Sequence, residues 1–398
     1  MDITIYPGKL RGQVQAIPSK SQAHRMLICA AFADNPTTIL CPQTNQDIEA
    51  TADCLSALGA SIQRNTEGYL VKPVTVIPRK ATLNCRESGS TLRFLLPIVG
   101  ALGVDATFLL AGRLPDRPLS PLWEEMERMG CRLSRPTENT LFCSGKLQPG
   151  EYVIAGNISS QYITGLLFAL SLLDGDSSLK ITGPLESAPY VDMTRDALCR
   201  FGVRADYDHI SGQFPFRSPG SIEVEGDWSN GAFFLAATAL GNDITTLGLS
   251  ENSLQGDRTV AGILHQLDAN CTIDATNIPD LVPILAVVAG AKQGATFTGI
   301  RRLRLKESDR VATVAAMLEG FGAKVTTTED TLAIAPANYA GCTVDSFGDH
   351  RIAMSAAIAA TVAAGPVTIL NADCVSKSYP AFWEEYRRLG GKYEQYIR

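Results

Sequence analysis

Four polar clusters in this sequence place cationic side chains beside hydroxyl or acidic residues. They occupy residues 19–25, 302–310, 348–351 and 376–380, and Arg117 and the pair Ser159-Ser160 add to them. Clusters 19–25 and 348–351 stand at the predicted starts of apolar helices, whose free N–H groups and positive dipole ends favour anions. In a chain of net charge −6, such cations predict a local positive site for a multiply charged anion. Any one cluster could instead be a set of surface ion pairs.

Two cationic positions in these clusters carry a specific expectation. Lys20 opens a predicted helix, where a cation opposes the helix dipole, so an anionic group is expected beside it. Lys306 and Arg310 are four residues apart, which predicts that they share one face of a helix.

Two kinds of helix are predicted to alternate along the chain. The first kind is apolar on nearly all sides and should be buried; its six copies begin near Ser19, Ser88, Ser159, Asp227, Pro279 and Asp349. The second kind carries the phrase apolar-x-x-apolar-Gly-small-x-apolar, in which the glycine ends the helix as a left-handed cap. This phrase occupies residues 55–62, 126–133, 198–205, 264–271, 318–325 and 386–393, with Asp268 replacing the glycine in the fourth copy. Its recurrence predicts a repeated supersecondary unit.

Short strand-like runs separate these helices, at residues 37–40, 107–110, 178–181, 296–298 and 367–370. The repeated unit therefore reads strand, buried helix, strand, exposed helix, strands, and the predicted fold class is α/β. With three units on either side of residue 226, two domains are expected: residues 16–226, and residues 227–398 together with 1–15. The strand at residues 3–6 is expected to join the second domain, and a cleft between the domains is the expected ligand site.

The composition narrows the class of function. With 45% hydrophobic and 19% charged residues, the chain is typical of soluble globular proteins, and its acidic balance argues against nucleic-acid or membrane-surface binding. No apolar run is long enough to span a bilayer, and the first residues do not resemble a signal peptide. Ten cysteines without a C-x-x-C pair and only four histidines indicate reduced thiols in the cytoplasm, with neither a disulfide framework nor a zinc site.

A set of short motifs occurs in a fixed order and covers nearly the whole chain. They are Ser19-Lys20-Ser21, Ser88-Gly89-Ser90-Thr91-Leu92-Arg93, Asp116-Arg117-Pro118, Ser159-Ser160-Gln161, Lys306-Glu307-Ser308-Asp309-Arg310, Asp349-His350-Arg351 and Ser376-Lys377-Ser378-Tyr379-Pro380. The set resembles the EPSP synthases, or 3-phosphoshikimate 1-carboxyvinyltransferases, of the enolpyruvyl transferase family. The resemblance implies a two-domain inside-out α/β barrel of six βαβαββ units. It also implies transfer of the enolpyruvyl group of phosphoenolpyruvate to the 5-hydroxyl of shikimate 3-phosphate, releasing phosphate, on the shikimate pathway to chorismate and the aromatic amino acids.

The resemblance implies roles for individual residues. Those matching the shikimate 3-phosphate site are Lys20, Ser21, Arg25, Ser159, Ser160, Gln161, Ser187, Asp280 and Lys306. Those matching the phosphoenolpyruvate site are Lys20, Gly89, Arg117, Gln161, Arg310, Arg351 and Lys377. Asp280 matches the acid that takes the 5-hydroxyl proton, and Glu307, with Lys20 or Lys306, would manage the proton of the methylene carbon. No cofactor or metal is implied, the partners are the two small substrates, and a glyphosate-sensitive monomer is expected.

The residues themselves leave alternatives open. Asp280 follows a proline and could cap a helix, Glu307 could pair with Arg310, and Gly89 could permit close helix packing. The chain also departs from the family pattern in having Arg302 where asparagine is common, so no substrate contact is expected there.

Two other functions compete with this prediction. The first is a UDP-N-acetylglucosamine 1-carboxyvinyltransferase, which usually pairs its N-terminal lysine with asparagine and carries a loop cysteine. Here Ser21 follows Lys20, and residues 110–121 contain no cysteine. The second is a nucleic-acid end-processing protein of similar repeat architecture, which would need a basic surface interleaved with aromatic residues.

Overall fold

The structure is a computed structural model, and it describes residues 1–212 and 215–396 of the chain. These residues divide into two compact units. Unit 1 comprises Met1–Ile17 and the described residues from Gly226 onward, and unit 2 comprises Pro18–Glu225 without residues 213 and 214. In these described ranges, no helix is both long enough and apolar enough to cross a membrane.

The chain begins in unit 1 with strands β1 (Asp2–Tyr6) and β2 (Arg11–Gln15) and then enters unit 2. The helices of unit 2 are α1 (Lys20–Ala31), α2 (Gln46–Ala57), α3 (Gly89–Leu102), α4 (Leu122–Arg128), α5 (Ser160–Leu170) and α6 (Ala188–Arg200). Its strands are β3 (Thr37–Leu40), β4 (Ser61–Arg64), β5 (Gly68–Lys72), β6 (Lys80–Arg86), β7 (Asp105–Leu110), β8 (Cys131–Thr137), β9 (Thr140–Gly145), β10 (Glu151–Ala155), β11 (Ser178–Thr182), β12 (Ala205–Asp206), β13 (His209–Ile210) and β14 (Ser221–Glu223). A 3-10 helix, Leu114–Asp116, precedes α4.

The rest of unit 1 follows after β14. Its helices are α7 (Trp228–Ala239), α8 (Val260–Gln266), α9 (Val282–Ala291), α10 (Arg310–Gly320), α11 (His350–Ala360) and α12 (Phe382–Arg388). Its strands are β15 (Asp243–Leu247), β16 (Cys271–Asp274), β17 (Ala295–Thr298), β18 (Val325–Thr327), β19 (Thr331–Ile334), β20 (Thr343–Asp345), β21 (Val367–Leu370) and β22 (Lys392–Tyr396). The 3-10 helices here are Gly256–Thr259, Arg301–Leu305 and Ala372–Lys377.

A shared strand order identifies the repeated unit. One sheet of unit 2 runs β6-β7-β9-β8, and one sheet of unit 1 runs β16-β17-β19-β18. In both, the first two strands are parallel and the other pairs are antiparallel. Parallel neighbours need a crossover connection, which α3 supplies in the first sheet and α9 in the second. Each sheet therefore contains the strand, buried helix, strand, exposed helix, strand, strand order that the sequence predicts.

Strands distant in sequence complete other sheets. β1 lies between β21 and β22 and runs antiparallel to both, with Ile3 opposite Ile369. This confirms that the C-terminal half uses the N-terminal strand. β14 pairs in parallel with β3 inside unit 2, and β2 pairs in parallel with β15 inside unit 1. Both strands lie next to a unit boundary in the sequence, so the chain leaves a strand in one unit just before it enters the other.

The apolar helices α1, α3, α5, α7, α9 and α11 are buried, as predicted. Every residue of α11 is buried, for example, and so is each residue of α1 from Gln22 onward. A hydroxyl or carboxylate caps five of these helices by accepting a backbone N–H: Ser19, Ser88, Ser159, Asp227 and Asp349. α9 differs because it begins at Val282, three residues beyond the predicted start at Pro279, and no side chain of the described residues caps it.

The glycine phrase ends the exposed helices in the predicted way. Gly59 follows α2 with a φ of +108°, in the left-handed region that residues with a Cβ rarely adopt. Gly59 N–H donates to Ser56 O at 3.0 Å, and Ala60 N–H donates to Leu55 O at 3.1 Å. This bond pair is the Schellman C-cap, and it turns the chain from α2 directly into β4.

Candidate active site

The first polar cluster lies at the start of α1 in unit 2. Ser19 caps the helix, and Lys20, its first residue, extends its ammonium to Asp47 Oδ2 at 2.9 Å. Both side chains are mostly buried, with 16% and 17% exposed. Asp47 lies in the first turn of α2, where a carboxylate is favoured by the dipole. The anionic neighbour expected for Lys20 therefore exists within the protein, and a bound anion would have to share the lysine with it.

Arg25 lies one turn further along α1 and is 2% exposed. Its guanidinium donates to Ser21 O at 2.5 Å, Tyr190 O at 2.7 Å and Thr194 Oγ1 at 2.9 Å, with a longer bond to Thr164 at 3.4 Å. Burial lowers the pKa of Arg25 to about 10, against the opposing effect of Tyr190. Three of these bonds fix α1 to α5 and α6, and the fourth lies within α1. Four of the five N–H donors are thus used, and within the described residues one N–H is left for a ligand.

A second group of cations converges on the N-terminus of α3. A Cβ added to Gly89 would lie 2.6 Å from NH1 of Arg93 and 2.6 Å from NH1 of Arg117. A methyl group here would therefore displace these guanidinium groups, so glycine preserves their positions. The alternative that Gly89 permits close helix packing is wrong, since the close approach between α3 and α5 occurs at Gly165, whose Cβ would meet Arg93 O.

Gln161 connects this group to α5. Its Oε1 accepts from Arg93 NH1 at 3.3 Å, and its Nε2 donates to Ser90 Oγ at 3.0 Å. Ser159 caps α5 by accepting the Gln161 N–H at 3.3 Å, and Ser160 is the buried first residue of that helix. Unit 2 thus brings Gly89, Arg117 and Gln161 into one group with the two serines beside it.

Ser187 lies at the start of α6 and is buried, with a left-handed backbone of φ 55° and ψ 39°. A non-glycine residue in this region carries backbone strain. The helix it opens also supplies Tyr190 and Thr194, which hold Arg25.

In unit 1, three cations surround the carboxylate of Asp280. Arg310 NH1 lies 2.6 Å from Oδ1, Lys306 Nζ lies 3.5 Å from Oδ1, and Arg351 NH2 lies 3.2 Å from Oδ2. Arg351 also donates to the backbone carbonyl of Asp280 at 3.1 Å. The alternative that Asp280 caps a helix is wrong, because Leu281 occupies the cap position of α9.

Arg310 connects Asp280 to two further acids. NH2 donates to Glu307 Oε2 at 2.6 Å and Nε to Asp349 Oδ2 at 2.8 Å, while Ser308 Oγ also donates to Asp349 at 3.0 Å. The Arg310 side chain is 1% exposed and that of Asp349 is fully buried. We refer to Asp280, Lys306, Glu307, Arg310, Asp349 and Arg351 as the unit 1 cluster. It contains three cations and three acids, so its formal charges balance.

The prediction that Lys306 and Arg310 share a helix face is wrong. Lys306 follows the 3-10 helix Arg301–Leu305 in an extended conformation, and Arg310 is the first residue of α10. Asp309 is the N-cap of α10, so Lys306 lies before the helix and only Arg310 belongs to it. The two cations nevertheless meet, because each contacts Asp280.

Burial and neighbouring charges shift the pKa values of Asp280, Lys306 and Arg310. Burial acts to raise the pKa of Asp280, but Arg351, Lys306 and Arg310 overcome it and hold that pKa well below its ordinary value. The pKa of Lys306 is lowered, because burial outweighs the attraction of Asp280. Burial also opposes the charge of Arg310, but Asp349, Glu307 and Asp280 raise its pKa well above the ordinary value. Asp280 is thus a carboxylate at neutral pH.

Two further residues from the polar clusters lie in unit 1. Lys377 ends the 3-10 helix Ala372–Lys377 and donates to Gly348 O at 2.9 Å, next to Asp349. Arg302 donates to Thr276 O at 3.0 Å.

The structure places several residues to which the sequence assigned no site role beside the predicted ones. Asp47, Arg93, Asp257 and Asp349 are the acidic and basic members of this set. Arg93 and Asp349 lie inside the recognised motifs, so their spacing offered a signal. Asp47 offered none, because its contact with Lys20 spans 27 residues of sequence.

Asp257 is the least expected of these residues. It lies in the 3-10 helix Gly256–Thr259, is 1% exposed, and accepts a hydrogen bond from Ser229 Oγ. Burial and the charge of Asp280 raise its pKa to about 7, although Arg351 and Ser229 act in the opposite direction. Two acids close to Arg351 thus have pKa values displaced in opposite directions, which is a pattern typical of acid–base sites.

Comparison with known proteins identifies relatives along the whole chain. The family model described as EPSP synthase (3-phosphoshikimate 1-carboxyvinyltransferase) matches residues 5–386. A 3-phosphoshikimate 1-carboxyvinyltransferase of Clostridium kluyveri is 40% identical over 422 aligned residues, which cover 99% of this chain and 98% of that protein. One of Clostridium novyi is 38% identical, with 98% of each chain covered.

Solved structures give the same result for the fold. The EPSP synthase of Acinetobacter baumannii matches with a TM-score of 0.78 at 25% identity, covering 99% of this chain and all of that one. The enolpyruvyl transferase NikO of Streptomyces tendae has a TM-score of 0.75 at 16% identity and covers 99% of this chain and 98% of its own, which supports the fold alone. The predicted two-domain inside-out α/β class is confirmed by these structures. Because the family model spans almost the whole sequence and the curated relatives do so at 38–40% identity, this chain belongs to the EPSP synthase family of 3-phosphoshikimate 1-carboxyvinyltransferases.

Proposed function

We propose that this protein is an enzyme that transfers the enolpyruvyl group of phosphoenolpyruvate to the 5-hydroxyl of shikimate 3-phosphate. The hydroxyl oxygen adds to the central carbon of phosphoenolpyruvate, and a proton adds to its methylene carbon. The resulting tetrahedral intermediate then loses phosphate and a methyl proton, which gives the carboxyvinyl ether. Membership of the EPSP synthase family favours this reaction over the other two functions considered from the sequence.

The observation that carries the proposal is the contact of Asp280 with three cations, at 2.6, 3.2 and 3.5 Å. The reaction needs a base for the 5-hydroxyl, and a carboxylate held ionised is such a group. The same cations are suited to anionic substrates, because a guanidinium binds carboxylate or phosphate through two parallel hydrogen bonds.

The cations that keep Asp280 ionised also make it a weak base in the absence of ligands. Arg310 and Arg351 are the residues proposed to bind phosphoenolpyruvate, and Lys306 is proposed to contact shikimate 3-phosphate. When these cations are shared with substrate anions, their attraction for the Asp280 carboxylate falls and its pKa rises. Asp280 would therefore become an effective base only after both substrates have bound.

A second set of groups is proposed to manage the proton at the methylene carbon. Glu307 contacts Arg310 at 2.6 Å, and the lowered pKa of Lys306 brings its ammonium closer to the range of a general acid. Lys20 is the third candidate, and its bond to Asp47 orients the ammonium. These groups are coupled through shared partners, so the proton belongs to the set rather than to one residue.

Anion binding is proposed to use both units. In unit 2, Lys20, Gly89, Arg117 and Gln161 would hold phosphoenolpyruvate, and Ser21, Arg25, Ser159, Ser160 and Ser187 would add contacts to shikimate 3-phosphate. In unit 1, Lys377 joins the unit 1 cluster in binding phosphoenolpyruvate.

Three further properties belong to the proposal. The protein would be inhibited by glyphosate, because the glycine at position 89 leaves room where a methyl group would intrude. It would act in the cytoplasm, in line with its unpaired cysteines. It would act as a monomer.

Phosphate release tests the function directly. The protein is incubated with shikimate 3-phosphate and phosphoenolpyruvate, each substrate is omitted in turn, and the carboxyvinyl ether is identified by NMR. UDP-N-acetylglucosamine replaces shikimate 3-phosphate in a parallel reaction. We expect release only with the complete pair; release with the nucleotide sugar, or no release with the complete pair, would contradict the proposal.

A further inference from the structure

A chain of buried hydrogen bonds in unit 2 links α1, α2 and the cap of α3. His24 Nδ1 lies 2.7 Å from Thr51 Oγ1, which lies 2.7 Å from Thr91 Oγ1. Thr91 Oγ1 in turn donates to Ser88 Oγ at 2.7 Å. All of these side chains are at most 1% exposed.

The direction of each bond follows from counting hydrogens. A threonine hydroxyl has a single hydrogen, and that of Thr91 can be donated to Ser88 Oγ at 2.7 Å or to the Asp47 carbonyl at 3.5 Å. The much shorter distance assigns it to Ser88. The bond between the two threonines must therefore use the hydrogen of Thr51. Thr51 then accepts from His24, so the imidazole carries its hydrogen on Nδ1.

The other ring nitrogen of His24 agrees with this direction. Nε2 is buried without a hydrogen-bond partner among residues 1–212 and 215–396, and a hydrogen there would be an unsatisfied donor. Burial, with Lys20 and Arg25 nearby, lowers the pKa of His24 well below its ordinary value. The ring is therefore neutral, with its lone pair on Nε2.

The chain of donors ends at Ser88. Its oxygen accepts from Thr91 Oγ1 and from Thr91 N–H at 3.2 Å, which uses both lone pairs. The Ser88 hydroxyl hydrogen must point away from Thr91, and the described residues supply no acceptor for it. This hydroxyl stands at the N-terminus of α3, immediately before the glycine on which Arg93 and Arg117 converge.

We propose that the Ser88 hydroxyl donates a hydrogen bond to an anionic oxygen of bound phosphoenolpyruvate, and that His24 is a positioning residue that sets the direction of the donor chain. The inference rests on the proposed function, because it assigns a further ligand contact to the same site. Neither residue was assigned a role from the sequence motifs.

The direction of the hydrogen bonds from His24 to Ser88 is tested without any substrate. The ring nitrogens of ¹⁵N-labelled protein at pH 7.5 are measured by two-dimensional NMR, with His24 assigned through the signals lost in H24N. A protonated Nδ1 and a bare Nε2 are expected. A ring protonated on Nε2 alone would reverse the chain, make Ser88 the donor to Thr91, and overturn the proposal.

The contact itself is tested at Ser88. Aspartate caps helices as well as serine does, so S88D keeps the cap but replaces the donor with a negative charge, while S88G removes the hydroxyl at a small cost to the cap. We expect KM for phosphoenolpyruvate to rise by about tenfold or more in both variants, and more than kcat changes. S171A, which removes a buried hydroxyl bonded to Leu167 O at 2.8 Å, is the matched control, with KM unchanged.

The outcomes separate this inference from the function. Turnover by the wild-type protein with an unchanged KM in folded S88G or S88D would overturn only the Ser88 contact. Absence of wild-type turnover would overturn the proposed function and this inference with it. Thermal unfolding of each variant identifies any that fail to fold. If S88D fails to fold, S88G still tests the Ser88 contact.

Discussion

Replacing Asp280 with asparagine should remove turnover and also destabilise unit 1. D280N keeps an oxygen that can accept from Arg310, but it removes the negative charge that three cations share. Loss of a general base lowers kcat by about 10²- to 10⁴-fold. The cations Arg310 and Arg351 have side chains only 1% and 5% exposed, so water cannot replace the missing charge.

The size of the destabilisation follows from these contacts. Removing one partner of a buried ion pair costs about 3–5 kcal/mol. The Asp280 side chain is 19% exposed, and Glu307 and Asp349 remain to neutralise Arg310, so we expect the lower end, about 3 kcal/mol. For a unit of roughly 200 residues this corresponds to a fall in Tm of about 6–12 °C.

The pH dependence gives a further check on the reasoning. The folded-state pKa of Asp280 lies below the ordinary carboxyl value, so its contribution to stability is fully present above about pH 4. That contribution is lost only as the pH falls through the lowered pKa. Because Asp257 titrates near pH 7 under the influence of Asp280, the comparison is made in a D257N background. There, the difference in unfolding free energy between proteins with and without D280N should stay constant from pH 8 to pH 5 and shrink only in stronger acid.

Urea unfolding and phosphate release, measured on the same preparations, test both parts. The matched control is D268N, which removes a carboxylate from an exposed pair with Lys292 at 2.6 Å and should change neither property appreciably. Unchanged unfolding of D280N would refute the claim that the cations depend on Asp280. Retained turnover would refute its role as the base.

Three other outcomes are expected. G89A should raise both KM for phosphoenolpyruvate and the glyphosate concentration for half-inhibition by about tenfold. The reason is that the added methyl group would lie 2.6 Å from two guanidinium groups and displace them. Equal values in G89A and the wild type would contradict this. The acid limb of kcat should lie at higher pH than that of kcat/KM, because substrates draw the cations from Asp280; coincident limbs would contradict it. Asp257 keeps in the folded state a proton that the unfolded chain loses above about pH 4. The free energy of unfolding of the wild type, measured with urea, should therefore fall by about 2 kcal/mol between pH 5 and 7. That of D257N should not show this fall.

Much of the fold was determined by local sequence. The apolar helices and their caps at Ser88 and Asp349 follow from periodicity and from hydroxyl or acidic residues placed before it. The helix ends follow from glycines such as Gly59, whose φ of +108° other residues rarely adopt. These signals depend on residues within one or two helical turns of each other, so they can be recognised in a single sequence. The start of α9 was misplaced because Pro279 is a local signal that the chain does not use.

The contacts of the candidate site were decided by tertiary structure. The sequence analysis identified the cations Lys306 and Arg310, but their spacing predicted a shared helix face. In the structure they meet only because both contact Asp280. The sequence analysis also predicted an anion beside Lys20. Only the packing of α1 against α2 shows that this anion is the carboxylate of Asp47. Side chains brought together from distant segments leave no periodic trace, because their attraction depends on distance in space and on burial rather than on separation along the chain.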